Sequence, residues 1–119
     1  MPSAQATSQA FPAELASVAA ARRFVRGALD GIPDDRRDRL TLVVSELATN
    51  ALLHAATSFE VALHWDGLVR MEVSDGVATM DPIRSGRGLH LFDRLCHRWG
   101  VERCGDGKRV WCEFDLDRS

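Results

Sequence analysis

A chain of 119 residues with 45% hydrophobic and 27% charged side chains has the size and composition of one folded domain built on a single two-layer core. Its net charge of −2 argues against a nucleic-acid surface, and no apolar run approaches the roughly 20 residues that cross a bilayer. The opening MPSAQATSQA has no basic start followed by an apolar stretch, so residues 1–10 are expected to be a flexible lead-in, residues 11–119 the domain, and the cytoplasm its compartment.

Leu15 to Leu29 carries apolar residues at helical spacing, and Gly31 and Pro33 stop that helix. Asp34 or Asp35 is expected to cap a second helix running to about Ala55. Its expected core stripe is Leu40, Val44, Leu47 and Ala51, and its expected solvent stripe is Asp38, Thr41, Ser45 and Thr49. Glu46 and Asn50 fall on neither stripe but are one turn apart, among Val43, Leu42 and Leu53. A carboxylate among aliphatic neighbours is costly to desolvate. Such a pair either lines a polar cleft or reaches solvent past those neighbours.

Phe59, Val61 and Leu63 alternate, as do Val69, Met71 and Val73, so two strands form a hairpin. A three-residue loop, Trp65-Asp66-Gly67, puts glycine at a bulge position and pairs Leu63 with Val69, Val61 with Met71 and Phe59 with Val73. That register sets Glu60 opposite Glu72. Asp75 shares parity with Met71 and Val73, so it is expected on the helix-covered face, where it needs a backbone or ligand partner. Gly86-Arg87-Gly88 then leads into Leu89, Phe92, Leu95 and Cys96, a short amphipathic helix whose N-terminus attracts phosphate. Trp99 and Val101 begin a strand, Gly105-Asp106-Gly107 turns it, and Val110, Cys112, Phe114 and Leu116 alternate back. The order helix, helix, strand, strand, helix, strand, strand predicts an α+β two-layer sandwich, with a mixed, mainly antiparallel sheet and helices on one face. The three cysteines lack metal-ligand spacing and are expected to be buried reduced thiols.

Three stretches taken together, ELATNALLHA (46–55), VSDG (73–76) and GRGLHLFDRLCHRWGV (86–101), resemble the conserved boxes of the histidine-kinase-like ATPase domain. The small anti-sigma-factor serine kinases of actinobacteria resemble this chain most, over nearly its whole length. The resemblance implies a Bergerat fold that binds ATP and Mg2+. By position, Asn50 would bind the magnesium that bridges the phosphates, and Glu46 would be the general base for an attacking hydroxyl. Asp75 would accept a hydrogen bond from the adenine amino group, with Gly76 following it. Gly86, Arg87, Gly88 and Leu89 would hold the phosphates. The implied role is a cytoplasmic serine/threonine kinase of a partner-switching system. It would bind a sigma factor, phosphorylate a small antagonist protein and form a homodimer, without contacting nucleic acid or membrane. The alternative is a non-catalytic, nucleotide-dependent protein-binding module of the same fold. The chain departs from the family pattern at Val77 and Thr79, which stand at glycine positions, and at Arg109, assigned to the position of a last-strand threonine. Residues 80–85 remain as the lid.

Overall fold

The computed structural model describes residues 5–52, 57–75, 94–105 and 107–116. Two helices, α1 (Ala16–Ala28) and α2 (Asp34–Asn50), cover one face of a five-stranded sheet. The strands are β1 (Gln5–Phe11), β2 (Phe59–Trp65), β3 (Leu68–Asp75), β4 (Arg98–Cys104) and β5 (Gly107–Asp115), in spatial order β1-β2-β3-β5-β4. The expected α+β sandwich is therefore present. Each described ladder is antiparallel, so the sheet is not mixed there.

The lead-in expected over residues 1–10 is instead strand from Gln5 onward. QATSQAF pairs along the whole of β2, from Gln5 opposite Trp65 to Phe11 opposite Phe59. Only Phe11 of this strand is buried, stacked on Phe59 with centroids 5.4 Å apart. An edge strand with one inward anchor has almost no periodic signature, which is why it reads as tail.

Helix α1 matches its sequence pattern except at Leu15, which is its N-cap and 85% exposed, and Gly31, at φ 95°, ends the segment beyond it. Helix α2 differs in three respects. Pro33 occupies the N-cap without a side-chain cap bond. Asp34 and Asp35 lie inside the first turn, where they complement the dipole and pair with Arg37 and Arg36. The regular helix ends at Asn50 rather than Ala55; Ala51 and Leu52 continue in a wider, π-type turn, and residues 53–56 lie outside the described residues.

The core stripe of α2 is the expected one, with Leu40, Val44, Leu47 and Ala51 all buried, and Asp38 is exposed as expected, but the rest of the solvent side differs. Thr41, assigned to solvent, is only 6% exposed, whereas Leu42 is 46% exposed. Asp35, Arg39, Leu42 and Glu46 form the solvent stripe. Thr41 and Ser45 lie on the side of α2 that faces α1, where the two helices pack together. The hydroxyls there do not need water: Thr41 donates to the Arg37 carbonyl (2.6 Å), Ser45 to that of Thr41 (2.8 Å) and Thr49 to that of Ser45 (2.7 Å).

The β2–β3 register differs from the expected one by two residues. Trp65 pairs with Val69, Leu63 with Met71, Val61 with Val73 and Phe59 with Asp75. Trp65 is therefore strand rather than loop, because its ring packs against the core, and Gly67 carries the turn at φ 138°. A two-residue shift keeps every side chain on its predicted face. It also removes the Glu60–Glu72 opposition, since Glu60 faces Ser74 and Glu72 faces Ala62. The β4–β5 hairpin follows the sequence reading, with Cys104 opposite Gly107 and Gly105 at φ 62°.

The core lies between the helices and the inner sheet face. Val25, Leu29, Leu40, Val43, Val44 and Leu47 meet Val61, Leu63, Val69, Met71, Val110 and Phe114. Cys96 and Cys112 are buried there as free thiols, as expected. A hydrogen bond with Cys96, together with burial, pushes the Cys112 thiol well up from its ordinary value.

Candidate nucleotide site

Two elements carry the described candidate residues. The last turns of α2 present Glu46 and Asn50 beside Val43, Leu47 and Ala51, which are buried in the core and anchor this end of the helix. Glu46 is exposed and Asn50 is half-buried. Of the two readings open for the pair, reaching solvent describes Glu46; Asn50 is partly enclosed.

Strand β3 ends at Asp75. Its parity with Met71 and Val73 puts the side chain on the helix-bearing face, as the sequence predicts, and only 7% of it is exposed. A cross-strand row runs through this end of the sheet: Phe59 on β2, Asp75 on β3, Lys108 on β5. Phe59 bounds one side with a buried ring. On the other side the Lys108 Nζ lies 3.5 Å from Asp75 Oδ2, with the lysine side chain 8% exposed. This is a desolvated carboxylate with its own counter-ion at a strand end that opens the 76–93 connection.

Sequence reasoning missed Lys108 and named its neighbour instead. Arg109 points to the opposite face of the sheet, where its Nε lies 3.8 Å from Glu72 and its Nη1 3.6 Å from Glu102. The residue of β5 that faces Asp75 is Lys108. The signal was available, since Lys108 shares the alternation of Val110, Cys112 and Phe114. Gly76, Gly86, Arg87, Gly88 and Leu89, the departures Val77 and Thr79, the lid at 80–85 and most of the expected third helix lie outside the described residues. Arg94 and Leu95 are helical.

The outer sheet face is a lattice of charges. Arg70 donates to Glu72 (2.7 Å) and Glu113 (2.9 Å), and its guanidinium stacks 4.4 Å from the centre of the Trp111 ring. Arg98 donates to Glu113 (2.9 Å) and Asp115 (2.6 Å). Burial pushes the Glu113 carboxyl up, but hydrogen bonds from Arg98 and Arg70 outweigh it and hold the group below its ordinary value.

Asp75 offers a buried acceptor for an amine, and Asn50 offers an amide oxygen of the kind a hard cation takes. The family model for the histidine kinase-like ATPase domain matches residues 11–114, and the chain belongs to that family. Among solved structures it is similar to the RsbU and RsbW domains of Rv1364c from Mycobacterium tuberculosis, with a TM-score of 0.75 and 19% sequence identity. That match covers 97% of this chain and 33% of the other, so the chain spans about a third of the protein it resembles. No curated protein matches it in sequence. No helix among the described residues is long and apolar enough to cross a membrane.

Proposed function

We propose that this domain binds Mg-ATP and acts as an anti-sigma-factor-like serine/threonine kinase in a partner-switching system, phosphorylating a small antagonist protein and sequestering a sigma factor. The observation that carries the reading is Asp75. Asp75 is a carboxylate buried on the helix face at the end of β3, and in this reading it would accept a hydrogen bond from the adenine amino group. Membership of the ATPase family and a fold shared with an RsbW-containing structure support it. Asn50 would hold Mg2+, and the glycines at 76, 86 and 88 with Arg87 and Leu89 would receive the phosphates. Bound Mg-ATP would supply the transferable phosphoryl group. Glu46, on the solvent stripe of α2, is accessible to a hydroxyl carried by a second protein and would take its proton.

The second reading is a nucleotide-dependent protein-binding module without catalysis, favoured by Val77 and Thr79 at glycine positions of the first glycine box. Phosphate transfer from labelled ATP to antagonist-like proteins of the same genome separates the two. Transfer supports the kinase. Joint binding of ATP and antagonist without transfer supports the module.

A further inference from the structure

The chain carries 15 lysines and arginines, and Lys108 is the only lysine. Every other basic residue is an arginine, yet the cation that faces the core beside Asp75 is the exception. Buried lysines are rare, because an ammonium keeps a large desolvation cost even when paired. Pairs buried for stability alone are often replaceable by apolar residues without loss. The inner face of this sheet is otherwise filled by such residues, from Val61 to Phe114.

We propose that Lys108 is a positioning residue for Asp75, holding its carboxylate toward the amino-bearing edge of a purine nucleotide and thereby setting a preference for 6-aminopurines. The inference rests on the reading of Asp75 as the purine acceptor. Three features of the site support it. Lys108 and Asp75 are direct cross-strand partners, so two rigid backbones fix their separation. Asp75 lies in a cross-strand row between the buried Phe59 and Lys108. Finally, lysine differs from arginine in what it leaves available. A guanidinium engages both carboxylate oxygens in a fork, whereas an ammonium is a point charge. Lys108 meets Asp75 at Oδ2, 3.5 Å away, as a point charge and without the fork that would span both oxygens.

The test uses the intact chain. Because Lys108 is the only lysine, labelling lysine with 15N at Nζ gives a single side-chain ammonium signal. That signal is followed by NMR during titration with Mg-ATP and with Mg-ITP, which carries an oxo group in place of the 6-amine. Calorimetry gives both affinities for the parent and for Lys108→Met, and circular dichroism reports folding. The expected results are a shifted Lys108 signal on ATP binding and a parent preference for ATP of ~10-fold or more. In folded Lys108→Met the ATP-to-ITP ratio should fall to near unity, and in Lys108→Arg, which keeps the charge but forks across both carboxylate oxygens, it should fall as well, a change that a purely structural ion pair would not produce. ATP binding that leaves the Lys108 signal unmoved overturns the proposal, as does a folded Lys108→Met with the parent's ratio. If Lys108→Met does not fold, the NMR titration of the parent decides alone. If the parent binds neither nucleotide, the reading of Asp75 itself fails, and the proposal fails with it.

Discussion

At the scale of single residues, Asp75 and Lys108 carry the account. Asp75→Asn removes the charge that compensates a buried ammonium, so it should cost roughly 3–5 kcal/mol of stability as well as ATP affinity, read by chemical denaturation and calorimetry. Asn50→Ala is the complementary change. Asn50 is half-buried at the end of α2 and has no role in the core, so the variant should melt with the parent, while its ATP binding becomes insensitive to magnesium. Retained magnesium dependence would remove Asn50 from the metal site. Asp75 was legible in the sequence because strand parity alone assigns its face. Lys108 was equally legible by parity, but the pattern of the last strand drew attention to Arg109, which faces the outer charge lattice.

At the scale of elements, the helix and hairpin readings failed in instructive ways. Periodicity located α2 and its core stripe but not the whole of its solvent side, because Thr41, Ser45 and Thr49 look like a solvent stripe while their hydroxyls are satisfied by carbonyls of the same helix. The hairpin was found on the correct faces but two residues out of register, because Trp65 can serve as loop or strand until the core is known. Two glycines test the sheet by different mechanisms. At Gly67 a Cβ meets nothing within 4 Å, so Gly67→Ala should cost about 1–3 kcal/mol through its φ of 138° alone. At Gly100 a Cβ would come within 2.7 Å of the Trp111 ring. Gly100→Ala should displace that ring from Arg70 and change tryptophan fluorescence, whereas Gly67→Ala should leave the spectrum unchanged. Equal spectra for both variants would contradict the packing of Trp111 over Gly100.

At the scale of the whole molecule, the sheet separates two chemistries: an apolar inner face that ends in the Asp75–Lys108 pair, and an outer face of paired charges. The outer lattice makes stability depend on pH. Glu113 titrates below its ordinary value when folded, so its contribution is complete above the unfolded value of about 4.3 and is lost as pH falls through the folded one. Glu113→Gln should therefore destabilise the fold at neutral pH by roughly 1–2 kcal/mol and flatten the acid limb of the stability curve, measured by urea unfolding from pH 7 down to 3. An unchanged acid limb would assign that limb to other carboxylates. The α+β layering was legible from element order, while β1 was not, since one buried phenylalanine in seven residues leaves no pattern.

In the proposed function, catalysis requires a hydroxyl carried by a second protein. If Glu46 is the base, Glu46→Gln should lower the rate of antagonist phosphorylation by about 10²–10⁴-fold while ATP binding stays near the parent's. Undiminished transfer would move the base elsewhere. All of this presupposes that the domain binds ATP, and calorimetry of the purified chain with ATP, in the presence and absence of magnesium, tests that claim most directly. The account predicts saturable, magnesium-enhanced binding below millimolar concentration. The absence of detectable binding at millimolar ATP would contradict it.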